Sequence, residues 1–358
     1  MSFETGKKLA GAWRDPEFWE EAWHAAWEQS LLHRQQPGRS GSDYWNRRAT
    51  RFTAQTQENG VLERIMKVVH MLGHKDALKR DSQVLDIGSG PGNYAIPIAR
   101  RVHQVVALDP ASEMLEILKK RAAEADLTNI VTVHQAWEEV DLDQAGWRGA
   151  FDAVLALMVP PLNGADNFKK MLAACRGVFI AGGHLRRDDP VRRELWQELG
   201  LGEMPDFCPD PFYAYHWLYA SGYYPDLEME HYYSLRQLTP DEARAELEDS
   251  VYPYLDLTPA VREKIRGFVE QRTHGGVFLS ARSAVAGWVI CAVGAPVPKE
   301  EQVHIHHHGH DHDHPHDHEH GHDHDHHHEH DHSHVHEHDH QQDHDHQHSR
   351  NHDHEYGH

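Results

Sequence analysis

Cysteine is scarce in this chain. Three occur in 358 residues, Cys175, Cys208 and Cys291, widely separated and without a Cys-x-x-Cys pair. That spacing leaves no framework for disulfides or a zinc knuckle and fits a reducing compartment. Long apolar runs are missing as well. None approaches the ~18 residues of a membrane-crossing helix, and the amino terminus carries no basic-then-apolar leader. A soluble, cytoplasmic chain with no membrane partner is expected. Positive charge is short: 35 Lys and Arg face 57 Asp and Glu, a net charge of −22. Much of that excess sits between Glu301 and His358, where 15 acids and one arginine give a net −14 beside 27 of the 37 histidines. Residues 1–300 still carry a net −8. Nucleic acid calls for a basic footprint, so no nucleic-acid partner is expected.

What the chain does have is the stretch Val84-Leu85-Asp86-Ile87-Gly88-Ser89-Gly90-Pro91-Gly92. Val84, Leu85 and Ile87 are β-formers in a short apolar run. Gly88, Gly90 and Gly92 let the backbone turn sharply and approach a ligand without Cβ interference. Asn93 to Arg100 suits a helix whose first amides face that ligand, with Pro97 tolerated near the first turn. A second apolar strand, Val105-Val106-Ala107-Leu108, ends in Asp109, an acid placed to accept from both hydroxyls of a ribose. A glycine turn alone serves nicotinamide, flavin and S-adenosylmethionine sites alike. The dinucleotide fingerprint G-x-G-x-x-G, however, needs glycine where Asn93 stands. Asp86 would also repel a pyrophosphate and attract the amino group of a methionine moiety.

These pieces, followed in order and spacing by Ile130–Glu138 and Phe151–Met158, resemble the class I S-adenosylmethionine-dependent methyltransferases. The likeness spans roughly residues 40 to 295 and is strongest in the first half. It implies that Asp86, Gly88 and Gly90 line the methionine part of the cofactor, that Asp109 holds the ribose and that Met114 packs on the adenine. Ser89, Gly92, Pro110 and Leu157 are counted with them as cofactor-binding. The family's acid after strand three is replaced by Ala136 in Gln135-Ala136-Trp137-Glu138, which leaves Trp137 or Gln135 to cover the adenine edge. Tyr44, in a helix opening at Asp43, is the candidate aromatic over the cofactor, set against a plain surface-anchoring role. After strand four, Met158-Val159-Pro160-Pro161-Leu162 lacks a polar flank to orient an exocyclic amine, so base methylation is not expected. Leu157, Met158 and Val159 would make an apolar wall near the transferring methyl.

Alternating strands and helices from 84 to 182 predict an α/β, doubly wound, Rossmann-like sheet. It is expected to be mostly parallel and seven-stranded, with an antiparallel last strand inside Ser283–Val293. Residues 1–42 form an N-terminal helical extension. Asp15-Pro16 starts its helix, and Trp19, Trp23 and Trp27 share one face, either packed on the main domain or serving as a lid over a substrate pocket. Residues 43–298 form the cofactor domain and 299–358 a tail. Strand five is expected over Gly177–Gly182, another strand over Leu227–Leu238, helix starts at Thr239-Pro240 and Thr258-Pro259, and separate extended segments at 277–280 and 283–293. Arg186, Arg187, Arg192 and Arg193 bracket Asp188-Asp189-Pro190, as a solvated helix start with local ion pairs or as a clamp for an anionic substrate. His216 and His231 are candidates for acid–base work, although a lone histidine is more often structural. No constellation names a base, and no catalytic residue is assigned.

From His304 onward histidine alternates with Asp or Glu. Too few apolar residues remain to offset the entropy of ordering, so disorder is expected. Imidazoles beside carboxylates suit a divalent transition metal, nickel, zinc or cobalt, without selecting among them. The densest candidates are His306, His307, His308, His310, His312, His314, His326, His327 and His328. The expected function is S-adenosylmethionine-dependent methylation of a small molecule, with metal ions on the tail suggesting a setting in transition-metal homeostasis. The alternative is a metal storage or delivery protein whose core binds S-adenosylmethionine without turnover. The oligomeric state is not legible.

Overall fold

A computed structural model describes residues 11–39, 41–56, 59–159 and 164–294, all within one compact unit. The tail with its nine candidate metal ligands, and residues 160–163, lie outside the described residues. Three helices lead in: α1 (Pro16–Gln29), α2 (Gly41–Gln55) and α3 (Asn59–His74). The chain then alternates through β1 (Gln83–Ile87), α4 (Ala95–Ala99), β2 (Gln104–Asp109), α5 (Ser112–Glu124), β3 (Ile130–His134), β4 (Phe151–Leu157), α6 (Ala165–Ala174) and β5 (Cys175–Asp188). Beyond these come α7 (Pro190–Glu198), α8 (Pro211–Ala220), β6 (Asp226–Leu238), α9 (Pro240–Val251), α10 (Pro259–Arg272), β7 (Thr273–His274) and β8 (Val277–Ala292).

Five of the helices begin with a capping oxygen followed by proline: Asp15-Pro16, Asp189-Pro190, Asp210-Pro211, Thr239-Pro240 and Thr258-Pro259. The side chain satisfies an amide that the first turn leaves orphaned, and proline lacks the N–H that would otherwise need a partner. At Thr239 the Glu242 side chain returns the bond, completing a capping box.

The strand order is β3-β2-β1-β4-β5-β8-β6, seven strands along the path, with the two-residue β7 paired to β8. β1 to β5 run parallel; β8 is antiparallel to both β5 and β6. Alternate residues feed opposite cores. Leu85, Ile87, Leu108, Val154, Ala156 and Phe179 pack with Trp23, Phe168 and Trp217 of α1, α6 and α8. Val84, Val105, Ala153, Leu155 and Ile180 pack with Val68, Leu72, Ile98 and Leu118 of α3, α4 and α5. A third core joins α7, α9 and α10 through Leu195, Leu247, Ile265, Phe268 and Phe278.

Several elements depart from their sequence-based bounds. β5 continues past Gly182 to Asp188, so Arg186 and Arg187 lie on a strand and the helix starts only at Pro190. The segments at 277–280 and 283–293 are one strand, because Ala281 and Arg282 continue the ladder opposite Leu235 and Ser234. The helix after the glycine turn is limited to five residues, Ala95–Ala99. α1 packs into the main core: Trp23 is 1% exposed, with its ring 5.6 Å from Phe168. Among the described residues no helix is long and apolar enough to cross a membrane, and all three cysteines are free.

Candidate functional site

Strand order reverses between β1 and β4, where open α/β sheets leave a crevice at their carboxyl ends. A cleft of about 280 Å³ opens there. Its floor is Ile87, Gly88, Gly90 and Leu108; Asp109, Pro110 and Met114 form one side; Ala136, Trp137 and Glu138 form another; and Met158 and Val159 close the end. Trp45 and Phe52 of α2 complete the wall. α2 is held in place by Ala49, which packs on Ala111 and Met114, and by Asn46, which accepts the Glu113 amide at 3.0 Å.

The glycine turn is shaped by its neighbours. Gly88 has φ +68°, and a Cβ there would sit 2.4 Å from Val159 Cγ1. Gly90, at φ +53°, faces open space. Arg121 pins the turn from outside, donating to the Pro91 carbonyl at 2.6 Å and to Asn93 Oδ1 at 3.0 Å. Lys170 gathers the carbonyls of Trp137, Glu138 and Val140, which fixes the loop beneath the third side of the cleft. Met158, the first residue beyond β4, has φ +57° and donates to the Gly182 carbonyl at 2.7 Å. A non-glycine residue held in the left-handed region costs about 1–3 kcal/mol, and such strain is often found at ligand-binding sites.

Two carboxylates underlie the turn. Asp109 accepts from the Gly90 amide and from the Ala111 amide, each at 2.8 Å. One bond per oxygen leaves a lone pair on each for a ligand hydroxyl. Burial raises its pKa despite those two amides. Asp86 is 2% exposed and accepts from the Ala95 amide, but its Oδ2 has no partner. Burial, then the neighbouring charge of Asp109, pushes its pKa up to about 7. Ser89 Oγ is likewise buried without a partner. A buried carboxylate oxygen left unbonded costs about 1–3 kcal/mol or more, which a cationic group in the cleft would offset.

The expected site residues thus divide. Gly88, Gly90, Asp109, Pro110, Met114, Ala136 and Trp137 line the cleft; Asp86 and Ser89 do not, and both are buried, Asp86 one residue before Ile87 at the end of β1. Gly92 instead faces Leu118 and Ile96, which would lie 2.9 Å and 3.2 Å from a Cβ. Leu157 packs on Gly182. Tyr44 is not on the cleft: Arg48 donates to its hydroxyl at 2.6 Å, and Trp45, one position on, supplies the aromatic wall. Gln135 turns away to donate to the Glu139 carbonyl, whereas exposed Glu138 brings a carboxylate to the wall beside Ala136 and Trp137. His216 stacks on Trp19 at 4.2 Å and His231 is exposed on the outer face of β6, so neither reaches the cleft. Sequence reading missed Trp45, Phe52, Glu138 and the pair His184–Tyr232, joined at 2.7 Å. For the last, only His184 stands near the arginines around Asp188 in sequence, and Tyr232 lies on a strand far along the chain. Among the described residues no group of three or more His, Cys, Asp and Glu gathers as metal ligands.

Comparison with known proteins bears on this same stretch. A family model described as "Methyltransferase domain" matches residues 84–183. An uncharacterized protein of Haemophilus influenzae is 33% identical over 99 residues, 27% of this chain and 35% of its own length. The 23S rRNA (uracil(1939)-C(5))-methyltransferase RlmD of Pseudomonas fluorescens is 37% identical over 109 residues, 29% of this chain and 24% of its own. The match therefore spans about a third or less of either relative. Among solved structures, magnesium protoporphyrin IX methyltransferase from Synechocystis PCC 6803 aligns at 14% identity and a TM-score of 0.44, over 69% of this chain and 97% of that one. The residues that build the floor of the cleft lie within the stretch similar to that methyltransferase-domain family.

Proposed function

We propose that this chain is an S-adenosylmethionine-dependent methyltransferase acting on a small molecule. One observation carries the reading: a buried carboxylate oxygen, Asp86 Oδ2, stands unpartnered beneath a glycine turn whose other acid, Asp109, keeps accepting capacity at both oxygens. The donor set fits the cofactor. Asp86 would face its cationic methionine end, the backbone at Gly88 and Gly90 would approach it closely, Asp109 would accept from the ribose, and Met114 and Trp137 would enclose the adenine. When bound, the cofactor supplies a methyl group activated on a sulfonium. The chain's share is orientation and the exclusion of water, by Met158 and Val159 at one end and by Trp45 and Phe52 above. A small acceptor is supported by the net −8 of residues 1–300 and by the wall that α2 raises over the cleft. For the tail, composition supports binding of divalent transition metal by interchangeable histidines.

Calorimetry of the full chain with S-adenosylmethionine and S-adenosylhomocysteine tests the cofactor. Both should bind, and Asp109→Ala should weaken each about tenfold or more, the scale of a charge-assisted hydrogen bond. Absence of binding, or affinity unchanged in Asp109→Ala, would sink the reading.

A further inference from the structure

The sheet ends differently at its two edges. At one, β3 is five residues long. At the other, β6 runs for thirteen, and among the described residues only β8 pairs with it. Every second residue of an edge strand points its N–H and C=O away from the sheet, an open template for another strand. Long edges are ordinarily guarded by proline, lysine or a bulge. β6 has no proline and no lysine, and its ladder with β8 runs residue for residue from Asp226 to Leu238 without a bulge.

Its two faces are unlike. The even-numbered side chains meet the protein: Asp226 pairs with Lys75 just past α3, Glu230 with Lys67 of α3, and Arg236 with Glu246 of α9. The odd-numbered ones meet solvent. Tyr233 is 67% exposed, Met229 and Leu235 are 53% each, and Leu279, on β8 opposite Gln237, is 55%. His231 and Gln237 are exposed as well. Beside Met229, His231, Tyr233 and Leu235, β8 sets Gly287, Val285, Ser283 and Ala281, side chains too short to shelter them. An exposed apolar stripe of this kind marks an interaction surface.

We propose that β6 pairs antiparallel with β6 of a second copy of this chain, joining the two sheets across a two-fold axis. The order of charge along the strand selects this occupant. Its acids stand at 226, 228 and 230, and its arginine at 236. A two-fold axis perpendicular to the sheet keeps matching faces level, so odd residues meet odd residues. Centred on His231, Tyr232 or Tyr233, such a pairing sets Arg236 opposite Asp226, Glu228 or Glu230 of the second copy, and never acid opposite acid. Centred on Tyr232, it lays Met229 beside Leu235 and His231 beside Tyr233, side-by-side pairs of the kind that stabilise antiparallel strands. Parallel addition would align acid with acid. Because each copy has one long edge, the contact closes as a dimer and does not propagate. β5 and β8 separate this edge from the cleft at β1 and β4, so the proposal stands apart from the methyltransferase reading.

Sedimentation velocity of the full chain over a range of concentrations tests this, with EDTA present so that metal on the histidines cannot bridge copies. The wild type should sediment at twice the chain mass and dissociate on dilution. Tyr233→Lys combined with Leu235→Lys should raise the dissociation constant about tenfold or more, since the two-fold axis repeats each substitution. Met229→Lys should act in the same direction. Val131→Lys, at an exposed position of the β3 edge, should match the wild type. Each variant must first keep the wild-type circular dichroism, which certifies its fold. Hydrogen exchange should show alternate β6 amides protected in the concentrated wild type and unprotected in the double variant. A monomer at every concentration, a dimer undiminished in the double variant and in Met229→Lys, or equal weakening by Val131→Lys would overturn the proposal. So would an open-ended series of larger species, or β6 amides already protected in the monomer, which would put another segment of the chain on the edge.

Discussion

Asp86 is the residue at which pH should act on this protein. Its carboxyl is raised from 3.8 to about 7 by burial and by Asp109. The folded, ligand-free chain therefore holds a proton that the unfolded chain has already released between about pH 4 and 7. The contribution of this group is present at low pH and lost as pH rises through about 7, with a slope of at most about 1.4 kcal/mol per pH unit. Urea unfolding across that range should show the decline, and Asp86→Asn should remove it. A cationic cofactor selects the ionised carboxylate, so its affinity should rise about tenfold per unit up to about pH 7 and level off above. A flat profile would separate Asp86 from the cofactor. That Asp109 and Met114 would lie at the cleft was legible in the sequence, because strand ends and fixed turn lengths place them. Tyr44 was not distinguishable from Trp45, because one step along a helix turns a side chain by about 100° and only packing decides which one faces inward.

Among elements, the glycine turn divides shape from binding. Gly88→Ala forces a Cβ into Val159 at 2.4 Å with φ +68°, so it should destabilise the fold by about 1–3 kcal/mol in chemical denaturation and abolish cofactor binding. Gly90→Ala meets nothing within 4 Å but sits at φ +53°, so it should cost only the backbone strain, about 1 kcal/mol, with the larger loss falling on cofactor affinity. Equal effects of the two on affinity and stability would show that the turn does not approach a ligand. Helix starts were legible at Asp15-Pro16, Thr239-Pro240 and Thr258-Pro259, since capping is local chemistry, whereas Asp210-Pro211, which opens α8 in the same way, was not read as one. The length of β5 was not. Gly182 and Gly183 read as an end, but Gly182 is glycine because Trp288 and Leu157 fill the space of its side chain, at 2.8 Å and 2.9 Å from a Cβ. That contact crosses more than a hundred residues of chain, and no local pattern reports it. The bulge in β5 between His184 and Arg186 is equally a product of pairing with β8.

The whole molecule joins a sheet covered on both faces to a strongly acidic, histidine-dense tail. At neutral pH residues 301–358 carry −14; full protonation of their 27 imidazoles turns that to about +13. Protons and metal compete for the same nitrogens. Nickel taken up by a peptide of this stretch should fall steeply between about pH 7.5 and about pH 5, and equal stoichiometry at both would contradict binding through imidazole. The cofactor cleft is the part on which everything else depends, and a crystal structure of the full chain with S-adenosylhomocysteine tests it most directly. The ribose should lie on Asp109, the amino group of the homocysteine end near Asp86 Oδ2, and the adenine between Met114 and Trp137. A nucleoside bound elsewhere, or Asp86 Oδ2 still without a partner in that complex, would contradict the assignment.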